Sequence, residues 1–192
     1  DVRVLAEEPV YRGFFRIRRL TIQHRLFDGG WSEPLVREVF ERGDAVAVLP
    51  YDPVADRVVL IEQFRPGAIR GDDSPWMLEV IAGVVEPGED DESVARREAM
   101  EEAGCPLAEM VPIATVMPSA GACSEQVRLF CARAHLADFA GGVHGLAEEG
   151  EDILVHQLSR EAALSLLRRD RIPNGHTVIA LQWLALNGDD LR

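Results

Sequence analysis

The sequence predicts a mixed α/β fold of the α+β kind, a sandwich with a mixed sheet, and a small N-terminal β-sheet segment beside it. Three observations indicate this class. Strand-like runs come first, one strongly helical stretch follows at residues 90–104, and further strands precede two final helical patterns. Strands and helices therefore do not alternate as they do in a doubly wound parallel sheet. Hydrophobic residues make up 47% of the 192 positions, which is enough for one domain-sized core.

The N-terminal segment, residues 1–43, is predicted from two strand-like runs. β-forming residues fill 14–27 and end in an Asp-Gly-Gly turn, and a second run follows at 35–42. These strands exceed what the core of the main domain, residues 44–192, needs. We therefore expect them to pack on that domain or to be lent to a partner subunit.

The main sheet is predicted from a series of apolar runs. Residues 45–51 and 57–64 flank a proline-containing turn, which indicates a hairpin. Residues 76–83 form another apolar strand that leads directly into an acidic stretch. Further strands are predicted near 110–117, 127–133 and 153–158, and the last two helices at 159–170 and 176–186.

The helix predicted at residues 90–104 has distinct start and stop signals. Alanines recur every four residues across 95–103 and form a narrow apolar stripe. Asp90 or Asp91 can cap the N-terminus, and Gly104 ends the pattern.

Composition argues against several function classes. A formal charge of −13 repels the phosphates of nucleic acids and of anionic membranes. No run approaches the roughly 20 apolar residues that cross a bilayer. Cys105, Cys123 and Cys131 lack zinc-type spacing and are typical of reduced thiols. Because the N-terminal residues are acidic rather than basic and apolar, we expect a cytoplasmic protein.

Residues 83–104 contain eight carboxylates, a density of negative charge that calls for a physical explanation. On a helix, Glu98, Glu101 and Glu102 share one face. Like charges this close disfavour a helix unless a cation neutralises them. Mg²⁺ fits, because it takes a few carboxylate oxygens and keeps room for waters and phosphates. The alternative is an ordinary solvated helix face.

The spacing of this segment is more specific than its charge. It runs Gly83, five residues, Glu89, seven residues, Arg97-Glu98, two residues, Glu101-Glu102, one residue and Gly104. This pattern resembles the Nudix box, the loop–helix–loop signature of hydrolases that cleave nucleoside diphosphates linked to another moiety. Ala99 and Cys105 stand where the signature prefers larger aliphatic residues, a departure that affects packing rather than chemistry.

The resemblance implies an α/β/α sandwich and metal-assisted attack of water on a pyrophosphate. Glu98 and Glu102 would bind Mg²⁺, for which Mn²⁺ can substitute, together with the backbone carbonyl of Ala82. Glu101 and Arg97 would support these ligands, since Arg97 can reach Glu101 one turn later or Glu89 in the preceding loop.

Outside the box, residues 11–186 resemble the bacterial ADP-ribose pyrophosphatase subfamily. The likeness lies in the order and spacing of YRGFF, RLFDGG, VREVFERG, VVLIEQFR, GLAEEGEDI and VIALQWL. It implies cleavage of ADP-ribose to AMP and ribose 5-phosphate by a homodimer. The subfamily usually carries a proline sixteen residues after the last glycine of the box. Ala120 stands there, and Pro118 lies two places earlier, so the substrate assignment rests on the flanking stretches.

The same resemblance assigns residues outside the box. Glu149 would be the general base, with Glu148 as the neighbouring alternative, and Glu151 would be a further metal ligand. A glycine-flanked acidic loop can close over a substrate in this way, although it can also be a merely solvated loop. The residues implied in substrate binding are Arg37, Arg42, Arg65, Ser119, Gly121 and Glu125, with Phe14 and Phe15 at positions that stack on adenine.

Two other functions stay open at this point. A relative of the same build can act on another nucleoside diphosphate sugar, such as GDP-mannose. A non-catalytic module could instead sense ADP-ribose or a related nucleotide and regulate a partner. The acidic groups needed for hydrolysis are complete, which favours an enzyme.

Overall fold

The computed structural model describes residues 1–169 and 171–191. Its strands are β1 (Val2–Arg12), β2 (Arg16–His24), β3 (Leu35–Glu41), β4 (Asp44–Asp52), β5 (Arg57–Phe64), β6 (Trp76–Glu79), β7 (Ile81–Val85), β8 (Leu107–Val116), β9 (Val127–Ala134), β10 (Gly142–His144) and β11 (Ile153–Ser159). The helices are α1 (Asp91–Ala103), α2 (Arg160–Arg168) and α3 (Gly175–Asn187), with short 3₁₀ helices at Pro66–Ala68, Ala147–Glu149 and Gly188–Leu191. The chain divides into two compact units, Asp1–Asp44 with Met117–Gln126, and Ala45–Val116 with Val127–Arg192.

The first unit contains a three-stranded antiparallel sheet in the order β1–β2–β3. Strand β1 is absent from the sequence prediction, because all of its residues are exposed and no alternation of buried and polar positions marks it. Phe14 and Phe15 are predicted within a strand, but they lie in the turn before β2. Gly29 and Gly30 have φ values of 96° and 83°, as a tight turn after β2 requires.

The second unit is built on an eight-stranded mixed sheet. Its main path is β10–β11–β5–β4–β9–β8, while β6 pairs with β5 and β7 pairs with β4. The β4–β9 pair is parallel, and the pairs β10–β11, β11–β5, β4–β5, β5–β6 and β8–β9 are antiparallel. The mixed α/β class is therefore confirmed. The prediction of a single strand at 76–83 is wrong, because the strand is interrupted at Val80: β6, before it, pairs with β5, and β7, after it, pairs with β4.

Helices cover both faces of this sheet. Leu49 and Leu60 pack with Leu181 and Leu184 of α3 on one face. Val48 and other residues of the opposite face pack with the apolar stripe of α1. Alternate residues of one strand enter different cores because successive side chains point to opposite faces.

Helix α1 begins and ends where the sequence predicts. The Asp90 side chain accepts a hydrogen bond from the Ser93 amide at 3.0 Å and caps the N-terminus. Gly104 takes a left-handed conformation, φ 59°, and its amide bonds the carbonyl of Met100 at 3.0 Å. Within residues 1–169 and 171–191, no helix has the length and apolar character needed to cross a membrane.

Candidate active site

Helix α1 places Glu98 and Glu102 against strand β7. Both belong to the second unit and lie one helical turn apart. Glu102 is only 3% exposed, a rare condition for a carboxylate. The spacing alone predicts the shared face, and the packing of α1 on β7 then buries it.

Glu98 lies directly over Gly83. A Cβ atom built on Gly83 would overlap the Glu98 carboxyl group, so glycine is the residue that leaves room for it. Burial raises the pKa of Glu98 to about 7; Arg97 opposes this, and Glu101, Glu151 and Glu149 add to it.

Glu102 is held by the strand that precedes the helix. Its Oε2 atom accepts a hydrogen bond from the Ala82 amide at 3.2 Å. Burial raises the pKa of Glu102 to about 8, the Ala82 amide opposes the rise, and the charges of Glu98 and Glu151 contribute to it. Arg65 lowers it slightly. The Ala82 amide therefore lies beside Glu102, and the next residue, Gly83, lies beside Glu98.

The carboxylates of Glu98 and Glu102 are suited to binding a divalent cation. Among the side chains of residues 1–169 and 171–191, no three His, Cys, Asp or Glu groups form a complete cage. The structure does bring together the buried Glu102 and the half-buried Glu98, whose pKa values are both raised chiefly by burial and in part by repulsion from neighbouring carboxylates, beside a glycine without a side chain. A hard cation that takes few protein oxygens and several from water or phosphate would remove this repulsion.

Arg97 contacts both carboxylates that its position in the sequence predicts. Its guanidinium lies 3.5 Å from Glu101 and 3.8 Å from Glu89. It also lies 3.0 Å from Glu98 Oε1, a contact that spacing alone does not indicate. Arg97 therefore joins the loop before α1 to the acidic face of the helix.

The acidic loop after β10 is anchored on the C-terminal end of α1. The Gly145 amide bonds the Glu101 carbonyl at 3.3 Å. Glu151 turns back to accept a hydrogen bond from the Leu146 amide at 3.0 Å. Glu149 is exposed in the short 3₁₀ helix, and the charges of Glu149 and Glu151 both act on Glu98. Strand β10, which precedes this loop, is a three-residue edge strand paired with β11.

Arg65 lies at the end of β5 and pairs with a buried acid. Its Nε and Nη2 atoms lie 2.9 and 2.8 Å from Glu79 Oε2. Glu79 is 4% exposed, and its Oε1 atom accepts a hydrogen bond from Asn174 at 2.9 Å. Sequence reasoning missed Glu79 and Asn174. The signals were a single acid inside an apolar strand and an asparagine just before a helical pattern.

The remaining predicted residues lie in the first unit. Arg42 lies 3.4 Å from Glu125, whose pKa is raised chiefly by burial and lowered in part by Arg42. Arg37 donates to the carbonyl of neighbouring Val36 at 2.8 Å. The loop that carries Ser119 and Gly121 begins with a turn in which the Ser119 carbonyl accepts two amides.

Three phenylalanines of the first unit form an aromatic cluster. Phe14 packs edge-on against Phe15 with ring centroids 4.8 Å apart, and Phe15 packs against Phe40 at 5.1 Å. Phe14 is 96% exposed, whereas Phe15 is more covered. Phe14 therefore offers a ring face to a ligand or to another chain.

Comparison with known proteins identifies the family. Residues 41–139 match the model of the NUDIX domain. The chain belongs to the NUDIX family. The box residues, from Gly83 to Gly104, lie inside the matched region, whereas Glu149 and Glu151 lie beyond its end.

Curated relatives cover the whole NUDIX chain. It is 46% identical over 192 residues to the ADP-ribose pyrophosphatase of Escherichia coli strain K12, covering 100% of this chain and 91% of that protein. It is 45% identical over 195 residues to the ADP-ribose pyrophosphatase of Haemophilus influenzae, covering 100% and 89%. The GDP-mannose pyrophosphatase of Yersinia pestis strain Pestoides F is 32% identical over 181 residues, covering 94% and 89%.

A solved structure shares the fold of this NUDIX chain. A crystal structure of an ADP compounds hydrolase superposes with a TM-score of 0.72 at 20% identity, covering 98% of this chain and 96% of that one. At this identity the likeness concerns the fold alone.

Proposed function

We propose that this NUDIX chain is an ADP-ribose pyrophosphatase, which hydrolyses ADP-ribose to AMP and ribose 5-phosphate. The observation that carries the proposal is the full-length identity of 45–46% to two ADP-ribose pyrophosphatases. The chain also carries the paired carboxylates Glu98 and Glu102, which in this proposal bind the metal ion.

The enzyme uses a divalent cation, as Nudix hydrolases generally do, and we propose Mg²⁺, with Mn²⁺ able to replace it. Glu98, Glu102, the Ala82 carbonyl and Glu151 would hold it. When bound, Mg²⁺ supplies positive charge to the diphosphate oxygens and lowers the pKa of a coordinated water. The support is the hard-oxygen donor set and the repulsion between Glu98 and Glu102.

The protein groups then position the substrate and move one proton. Glu149 takes a proton from the attacking water, whose oxygen bonds to one phosphorus while the bridging P–O bond breaks. Arg97 and Glu101 keep the carboxylates of α1 in place. Arg65 presents a guanidinium to the phosphates, since Glu79 engages only its Nε and Nη2 edge.

The family resemblance also assigns substrate contacts to residues of the first unit. Arg37 and Arg42 would meet the anionic substrate, and Phe14 and Phe15 would stack on adenine. Ser119, Gly121 and Glu125 would surround the terminal ribose or an ordered water.

A homodimer is part of the proposal. Every residue of β1 is exposed, and its large apolar side chains at Val2, Val4, Leu5 and Val10 are between 44% and 61% exposed. Burying such a row is worth about 25 cal/mol per Å², so a second copy would stabilise the N-terminal strands. These strands, residues 1–43, would then form a segment that is exchanged between subunits. We also place the enzyme in the cytoplasm, where its three free cysteines stay reduced.

The direct test is incubation with ADP-ribose and Mg²⁺ followed by separation of the nucleotides. Equal amounts of AMP and ribose 5-phosphate are expected from the wild-type protein, and Glu149→Gln should lose most of the rate. Unchanged ADP-ribose together with a raised melting temperature would instead indicate a sensing module.

GDP-mannose is the second candidate substrate, because a GDP-mannose pyrophosphatase is 32% identical over nearly the whole chain. A side-by-side panel of nucleoside diphosphate sugars decides between the two. A higher kcat/KM for GDP-mannose than for ADP-ribose would contradict the assignment.

A further inference from the structure

Helix α3 reaches the break between β6 and β7 through a chain of hydrogen bonds. The buried Thr177 Oγ1 atom accepts a hydrogen bond from the Val80 amide at 2.9 Å. The amide and hydroxyl of Thr177 both donate to Asn174 Oδ1 at 3.0 Å. Asn174 is the residue that caps the N-terminus of α3. The Oδ1 atom of Asn174 therefore completes the helix cap, and its Nδ2 atom can donate a hydrogen bond to another group.

That nitrogen holds the acid that orients Arg65. Asn174 Nδ2 donates to Glu79 Oε1 at 2.9 Å, while Glu79 Oε2 receives the Arg65 guanidinium. Glu79 is buried, so its side chain cannot turn to water for a replacement partner. Without Asn174 the carboxylate could rotate and release one edge of the guanidinium.

We propose that Asn174 is a positioning residue for substrate binding, which acts on Arg65 through Glu79. This inference rests on the proposed function, since it makes the Arg65 guanidinium the group that meets a phosphate oxygen. Val80, whose amide Thr177 holds, lies between Glu79 and the strand that carries Ala82. The cap of α3 thus fixes the segment from which Glu79 projects.

A double-mutant cycle separates positioning from general stability. Asn174→Ser keeps an oxygen that caps a helix about as well as asparagine does, but it lacks the amide donor to Glu79. The probe is a methylene-bridged ADP-ribose analogue that cannot be hydrolysed, with Mg²⁺ present. We expect the Kd to rise about tenfold in the wild-type background and by less than about twofold in the Arg65→Ala background.

Asn187→Ser is the matched control. The Asn187 side chain donates to the Trp183 carbonyl at 2.8 Å near the other end of α3. Its loss should leave the Kd unchanged. Equal effects of Asn174→Ser in both backgrounds, or no effect in the wild-type background, would overturn the inference.

Two further measurements keep the test decisive. Asn174→Asp also retains the cap oxygen and places a second carboxylate against Glu79, so it should raise the Kd more than the serine variant does. If neither variant folds, Asn174 serves the fold itself and the inference is wrong.

The second measurement does not depend on the proposed function. The Nε–H signal of Arg65 in ¹⁵N NMR spectra of the ligand-free protein reports the bond to Glu79. It should broaden or shift in Asn174→Ser and stay in place in Asn187→Ser. If ADP-ribose is not a substrate, this signal still tests the link from Asn174 to Arg65, and an unchanged signal in Asn174→Ser refutes it.

Discussion

Replacing Glu102 with glutamine should stabilise the metal-free fold while it destroys activity. Glutamine has the same shape and keeps an oxygen for the Ala82 amide, so the 3.2 Å hydrogen bond can remain. It removes a carboxyl group that is 3% exposed and whose pKa is raised from 4.5 to about 8, chiefly by burial. The variant therefore removes an electrostatic cost without leaving a cavity.

The raised pKa fixes the sign and the size of the effect. The folded state holds the Glu102 proton more tightly than the unfolded state, so wild-type stability falls as the pH rises from 4.5 to about 8. A shift of this size corresponds to an upper limit of roughly 5 kcal/mol, at about 1.4 kcal/mol per pKa unit. Because Glu98 and Glu151 share this repulsion, we expect a gain of about 1–3 kcal/mol for Glu102→Gln.

Urea unfolding with a chelator present measures this gain. At about pH 9 the variant should have the higher free energy of unfolding, and near pH 4.5 the two proteins should converge. Added Mg²⁺ at about 100 times its Kd should stabilise the wild-type protein by about 2.7 kcal/mol and the variant by much less. Turnover of ADP-ribose should fall by about two to four orders of magnitude. A variant that is less stable than the wild type at about pH 9, or one that retains activity, would refute the reasoning.

Three further predictions follow from other contacts. Gly83→Ala should displace the Glu98 carboxyl group and lower the rate of ADP-ribose hydrolysis at least about tenfold in a folded protein. The control is Gly67→Ala, whose Cβ atom meets nothing within 4 Å and which should hydrolyse ADP-ribose at the wild-type rate. Cys123 should react first with a thiol reagent at about pH 8, since burial raises the pKa of Cys105 to about 11 and the pKa of Cys131 to about 12. Fast labelling of all three thiols in the folded protein would contradict this prediction. Asp52→Asn should lower the free energy of unfolding by about 2–3 kcal/mol near neutral pH, because burial raises the pKa of Asp52 but hydrogen bonds from the amides of Ala55, Leu136 and Val54 outweigh burial and lower it. Measured by urea unfolding, this loss of stability should shrink as the pH falls below 3.8, and a loss that grows in acid would contradict the prediction.

Local chemistry made the box helix predictable. Asp90 caps α1 and Gly104 ends it, and both act on backbone groups within five residues of themselves. The shared face of Glu98 and Glu102 follows from the helical period alone. The hairpin of β4 and β5 is also predictable, because its two apolar runs are long and a turn sequence separates them.

Strand partners were harder to predict, because pairing depends on residues far along the chain. The run at 76–83 is uniformly apolar, yet β6 joins β5 and β7 joins β4. The Val80 amide, at the break, bonds Thr177, which lies 97 positions away. Strand β1 shows no buried face, so no periodicity marks it.

The sequence by itself determined the two-carboxylate helix, its caps and the mixed α/β class, since helical spacing and capping are short-range effects. Only the tertiary structure decided that Glu102 is buried beside Ala82, that Glu98 lies over Gly83, and that Arg65 is held by Glu79 and Asn174. The physical reason is that pKa values and side-chain orientation depend on desolvation and on partners brought close by folding. The spacing of residues along the chain determines neither the desolvation of a side chain nor its partners in the folded protein.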